Sequence, residues 1–176
     1  LAAAYLAHPA VGLTNVENFH PDSFLGLLIG LVLWSALERK WNWYWISVVL
    51  ALLVKEDVAL IVIPIGLWVA LRRDIRRGLW TVVLSIATMA LMFLVVMRSF
   101  TGVAFRNSWR IPFGGFSGLF QVAFRQPQEL WKYFTSEDRP TYLLHLLSPT
   151  ALAFVFAPSV ALTGAVVIGA NLLSTF

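Results

Sequence analysis

The sequence has no cysteine, which excludes disulfides and thiolate-ligated metals and leaves the redox compartment open. Charge is scarce too. Only 12% of the 176 residues are Asp, Glu, Lys or Arg, while 59% are hydrophobic; soluble domains run at about 25% and 45–50%. A soluble fold can bury one all-apolar helix, but not the several apolar runs packed into so short a chain. The class is therefore an integral membrane protein. Eight Trp and thirteen Phe, several beside charges, fit anchors at the membrane–water interface. No basic segment precedes the first apolar run, so no signal peptide is read. The chain opens at Leu1 and ends inside an apolar run, "VVIGANLLSTF". Residues 1–176 are accordingly expected to be a single transmembrane domain, a fragment of a larger polytopic protein. There is no HExxH, DxD or His cluster, so no metal site is assigned, and a divalent cation is the one cofactor left open. Basic residues spread over both membrane sides argue against nucleic acid as a partner.

What is present is a series of apolar runs with polar punctuation: 1–13, 24–37, 41–54, 58–71, 79–97, 143–156 and 160–173. The expected fold is all-α, a polytopic transmembrane bundle of about six to seven apolar helices. The short loops "ERK" (38–40) and "RRDIRR" (72–77) hold six of the thirteen basic residues. The positive-inside rule places both in the cytoplasm. The stretch 41–71 between them must then go out and come back. It turns at Lys55, Glu56 and Asp57, its only charged residues. Parity puts "NVENFHPDS" (15–23) and the long connection 98–142 on the outer face, with "APS" (157–159) as a cytoplasmic turn.

Length sharpens this. Each arm of that hairpin, 41–54 and 58–71, gives about 21 Å of helix, against a hydrocarbon core of roughly 30 Å. Trp41, Trp43, Tyr44 and Trp45 pin the first arm at the cytoplasmic interface. The charged turn should then lie several ångströms below the outer surface, where charge is tolerated only inside protein or beside water. This predicts a polar cavity open to the outside, with Glu56 and Asp57 as candidate general base or cation ligands and Lys55 beside them. The plain alternative is a re-entrant turn in which Asp57 caps the next helix and Lys55 neutralises Glu56.

In "FHPDSF" (19–24), Asp22 or Ser23 suits a helix cap, with Pro21 setting up the start. His20 is not explained by capping; at a cavity mouth it can bind a sugar hydroxyl or phosphate, or shuttle a proton. Glu17 and Asn18 are candidates for the same cavity. The connection 98–142 carries Arg98, Arg106, Arg110, Arg125, Lys132 and Arg139 against Glu129, Glu137 and Asp138. Arginine's fork suits phosphate oxygens, so Arg98, Arg106 and Arg110 are candidates for binding a phosphorylated lipid; headgroup anchoring is the plainer reading. Leu130, Trp131, Tyr133 and Phe134 point to an amphipathic helix lying in the interface. His145, on an apolar run, is read as structural.

The order "NVENFHPDSF", "LLVKEDVAL" (52–60), "RRDIRRGL" and "LLSPTALAFVF…IGANLLSTF" resembles a family of bacterial and archaeal predicted membrane proteins, domain of unknown function 2079. The Phe-His-Pro and Lys-Glu-Asp pair is the most specific part of the resemblance. That family is placed by similarity among GT-C-type glycosyltransferases. The resemblance implies a multi-pass protein of the cell membrane that uses a polyprenyl-phosphate sugar donor at its extracytoplasmic face. It also implies a further acidic base in a first outer loop ahead of residue 1. On this reading Glu56 or Asp57 orients the acceptor hydroxyl or acts as base. Lys55 and an outer arginine meet the phosphate, His20 contacts sugar or phosphate, and Asp22, Glu17 and Asn18 line the pocket. A phospholipid-like substrate and membrane lipids are the expected partners. The rival readings are a transporter or flippase with an intramembrane charged site, and a non-catalytic membrane scaffold.

Overall fold

The computed structural model describes residues 21–102, 111–136, 139–147 and 157–173. These residues are helical, with no strand among them. A 3₁₀ turn, Pro21–Phe24, leads into α1, Leu25–Leu37. The chain reverses at Glu38–Lys40, where Arg39 takes a left-handed φ of 55° and the Lys40 amide donates to the Ser35 carbonyl at 2.8 Å. Helix α2, Trp41–Leu52, follows. The next break spans Leu53 to Lys55, with Lys55 extended at φ −162°, then a 3₁₀ turn Glu56–Val58 and α3, Ala59–Arg72. At the next corner the amides of Arg73 and Asp74 both donate to the Val69 carbonyl, and the Asp74 carboxylate caps the following helix by accepting from the Arg77 amide at 2.9 Å.

That helix, α4, runs 27 residues from Ile75 to Thr101. A stretch in its second half, Met92–Met97, is wound as a π-helix, and Gly102 at φ 75° ends it in a left-handed cap. Beyond it lie α5, Phe116–Arg125, α6, Pro127–Thr135, α7, Arg139–Leu147, and α8, Pro158–Leu173. The connection 98–142 is thus helical over most of its described residues, and α6 carries the aromatic stretch expected to form a helix.

Helices α1, α2 and α3 have 13, 12 and 14 residues, each short of the roughly 20 that cross a bilayer core. Among the described residues only α4 is long and apolar enough to span, which is fewer than the six or seven spans expected. Just 11% of its most apolar window is buried. Leu79, Trp80, Val83, Ile86, Leu94 and Val95 are all exposed, a surface suited to lipid rather than water.

Helix α3 holds the core together. It packs along α4 and against α8, and its buried Ala59, Val62, Ile65, Trp68 and Val69 join Val32 and Ala36 of α1 and Tyr44, Val48, Ala51 and Leu52 of α2. Small residues let α3 and α4 approach closely. A Cβ on Gly66 would lie 3.0–3.1 Å from Val82 and Thr81, and one on Gly78 would run into Ala70. The buried hydroxyls of Tyr44, Thr81 and Ser85 are satisfied within the bundle, as a low-dielectric interior demands. Ser85 donates to the Thr81 carbonyl and Thr81 to the Arg77 carbonyl, both at 2.8 Å. Thr81 has one proton, so the 2.7 Å contact with Tyr44 is donated by the tyrosine.

Helices α6 and α7 clasp the end of α8. Arg139 Nε donates to the Leu172 carbonyl at 3.1 Å and the Tyr133 hydroxyl to the Leu173 carbonyl at 3.2 Å. These contacts supply partners to carbonyls that a helix end leaves unpaired.

Candidate functional site

The turn at Lys55–Asp57 is placed by the two hairpins around it. Arg77, at the start of α4, lies 4.3 Å over the Trp41 ring at the start of α2, and Tyr44 meets Thr81 across the same two helices. Helices α2 and α4 therefore start at one end of the bundle, and the loops 38–40 and 72–77 are neighbours there. The charged turn between α2 and α3 lies at the opposite end. The tight turn at 38–40 pairs α1 and α2 in antiparallel fashion, which brings Asp22, in the 3₁₀ turn before α1, to that opposite end too. Arg98, exposed near the far end of α4, shares it. The reversal expected from loop charge is thus present.

Depth follows from register. Gly66 faces Thr81 and Val82, and Gly78 faces Ala70. Carried along the antiparallel pair, this register sets Ala59 level with Met89, which does pack on the core, and Asp57 level with Leu91. From Leu91 to Arg98 is about 10 Å of helix, so the charged turn stops short of the end of α4 and sits on a ledge beneath it. The uncharged run 78–97 between Arg77 and Arg98 measures about 30 Å, the thickness of a bilayer core. The π-helical turn Met92–Met97 begins level with the ledge; π-turns are frequent at functional sites.

On the ledge, Lys55 Nζ lies 3.5 Å from Asp57 Oδ2, with the two side chains 43% and 53% exposed. Glu56 is half-buried and makes no hydrogen bond or ion pair with a described residue. The capping explanation for these charges fails. Helix α3 starts at Ala59, its cap residue is Val58, and no side chain caps it. The cap expected from Asp22 or Ser23 fails similarly, because the residue at the cap position of α1 is Phe24, with no side-chain bond. Chemically, the ledge offers a carboxylate without a described partner and an ammonium tied to a second carboxylate.

The structure places Asp22, Lys55, Glu56, Asp57 and Arg98 toward one end of the bundle, with Arg98 about 10 Å of helix beyond the charged turn. Glu17, Asn18, His20, Arg106 and Arg110 lie outside the described residues. His145 is exposed on α7. Among the described residues no three His, Asp or Glu side chains come together in a way that could hold a metal ion.

Several features escaped sequence reasoning. The Asp74 cap had a local signal, an Asp one residue before a helix and three before an arginine, and its carboxylate also accepts from Arg77 Nη1 at 2.6 Å. The Arg77 amide, with the guanidinium beside it, holds the Asp74 carboxyl below the usual aspartate range. Tyr44–Thr81 and the Arg139 clasp join residues far apart in sequence and left no local signal.

No curated protein and no solved structure is similar enough to the chain to be matched with it. One family model does match, over residues 1–176, and the chain belongs to the family described as predicted membrane protein (DUF2079).

Proposed function

We propose that this membrane protein is an integral-membrane glycosyltransferase of GT-C type. It transfers a sugar from a polyprenyl-phosphate donor to an acceptor on the extracytoplasmic face of the cell membrane, where the ledge forms the floor of a water-filled cavity. The observation that carries this reading is Glu56, a half-buried carboxylate about 10 Å inside the Arg98 level with no partner among the described residues. A charge held at such depth is costly, and a turn alone could be built without it.

In the proposed reaction Glu56 takes the proton from the acceptor hydroxyl. The acceptor oxygen forms a bond to the anomeric carbon, and the bond from that carbon to the donor phosphate breaks. Polyprenyl phosphate leaves with the electron pair. Lys55, held by Asp57, faces the charge that develops on it, and Arg98 meets the phosphate at the headgroup level. Asp22, with Glu17, Asn18 and His20 ahead of it and Arg106 and Arg110 beyond α4, would complete the walls. The helix α6 lies in the interface beside them.

The test uses full-length protein in liposomes with a polyprenyl-phosphate sugar, reading release of polyprenyl phosphate and appearance of glycosylated acceptor. Glu56→Gln should lower the rate about 100-fold or more, the usual share of a general base. Wild-type rates in both Glu56→Gln and Asp57→Asn would sink the assignment. Movement of intact donor across the bilayer without release of polyprenyl phosphate would instead identify a flippase.

A further inference from the structure

The opposite end of the bundle carries a second polar site that sugar transfer does not use. Loops 38–40 and 72–77 each look like an ordinary basic turn, but the contacts of Trp41 with Arg77 and of Tyr44 with Thr81 make them one surface. That surface holds Arg39, Lys40, Arg72, Arg73, Arg76 and Arg77 against Glu38 and Asp74, and Asp74 is already occupied by Arg77. Beside this excess of cations two donors are buried without an acceptor: Trp68 Nε1 and Arg73 Nε. They are neighbours, the Arg73 guanidinium carbon lying 5.6 Å from the centre of the Trp68 ring. Trp68 is only 8% exposed. Buried N–H groups that lack a partner are costly, and two on neighbouring side chains under a cationic surface favour an anionic oxygen ligand.

We infer that the indole of Trp68 and the guanidinium of Arg73 form a binding site for the phosphate of an anionic phospholipid in the leaflet at the basic end of the bundle. Arg72 and Arg76, both exposed, add the surrounding positive charge. A lipid is the occupant that fits the position. The site lies where the exposed apolar face of α4 begins, at Ile75, Leu79 and Trp80, so acyl chains would run along α4 while the headgroup meets the two donors. Basic pockets at this level between membrane helices are suited to anionic headgroups.

The experiment takes full-length protein in nanodiscs of phosphatidylcholine with one-fifth phosphatidylglycerol, extracts it gently, and counts retained lipids by native mass spectrometry. Wild type should retain phosphatidylglycerol far above its share of the bilayer. Trp68→Phe keeps the ring and removes the donor. Arg73→Lys keeps the charge and removes Nε. Each should lower retention about tenfold, the worth of a hydrogen bond to a charged group. Arg39→Gln, which removes a charge from the same surface but touches neither donor, should lower it far less. Equal retention in Trp68→Phe and wild type, with thermal stability unchanged, would overturn the site. So would a loss in Arg39→Gln as large as in Arg73→Lys, since only diffuse charge would then be at work. Displacement of the bound lipid by millimolar inorganic phosphate would show a site for a soluble anion and refute the lipid.

Discussion

The recess of the charged turn can be measured with a ruler laid along α4. Spin labels at Arg76→Cys and Arg98→Cys sit near the two ends of one continuous helix and should be separated by about 33 Å along its axis. Pairing Arg76→Cys with Asp57→Cys measures to the ledge instead. The register of Gly66 and Gly78 puts Asp57 level with Leu91, about 22 Å along the axis. One interhelical spacing of 8–10 Å sideways makes that roughly 24 Å. The label arms lengthen both distances alike, so the first pair should exceed the second by close to 10 Å in pulsed dipolar spectra of the reconstituted protein. The label at 57 should also be relaxed by a water-soluble nickel chelate although it lies below the headgroups. Equal distances would place the turn at the membrane surface and remove the ledge. The expected distances with contact from oxygen alone would leave the ledge but bury it in lipid, which no charged turn of this composition could endure. Either result would refute the reasoning that links helix length to a cavity.

The two glycines of the α3–α4 contact should respond differently to the same methyl group. On Gly78 it would lie 2.5 Å from Ala70 Cβ and closer still to Ala70 backbone atoms, whereas on Gly66 the nearest atoms, Val82 Cγ2, the Gly78 carbonyl oxygen and Thr81 Cβ, are 3.0–3.1 Å away. Gly78→Ala should therefore cost about 2–3 kcal/mol through forced separation of the helices, and Gly66→Ala under about 1; equal melting temperatures in detergent would contradict the register. At the corner before α4, the Asp74 carboxyl titrates below its unfolded value of about 3.9, so it stabilises the fold above that pH and the stabilisation is lost as pH falls through the lowered native value. Asp74→Asn should flatten the acid limb of thermal stability between about pH 5 and 3, and an unchanged limb would mean the cap is not formed in the membrane.

Much of this frame was legible because breaks in membrane helices are written in charge. The turns at 38–40, 53–58 and 72–74 fall where the sequence interrupts its apolar runs, and loop charge implied that 41–71 goes out and returns. What failed were the local refinements. Asp57 and Asp22 were natural caps by residue type, yet each lies inside a short 3₁₀ turn whose last residue, Val58 or Phe24, takes the cap position. The 79–97 run was expected to begin after the basic loop. The helix starts at Ile75 instead, because the Asp74 cap draws "RR" into its first turn. The close fit of Gly78 on Ala70, the Tyr44–Thr81 bond and the donors stranded at Trp68 and Arg73 depend on which helices are neighbours. No periodicity of a single run records that.

Capping having failed as the reason for "KED", mutual neutralisation is the architectural reason left among the described residues, and it can be separated from function. Lys55 and Asp57 are about half-exposed, so their pairing at 3.5 Å is worth little where water reaches it, and Glu56 adds an acid with no described partner. An ionised side chain costs about 2.5–3.5 kcal/mol at the centre of a membrane helix, and less on a wet ledge. Replacing all three by neutral residues of like shape, Lys55→Gln, Glu56→Gln and Asp57→Asn, should then leave the melting temperature equal to wild type or a few degrees higher. Stability gained by neutralising a working site is the common trade-off. The proposed sugar transfer, by contrast, should vanish. If the triple variant melts well below wild type, the charges hold the turn together and the ledge is scaffolding. If it is stable and still active, the chemistry lies elsewhere at this end of the bundle. Only stability kept with activity lost assigns the cost of three charges below the membrane surface to catalysis.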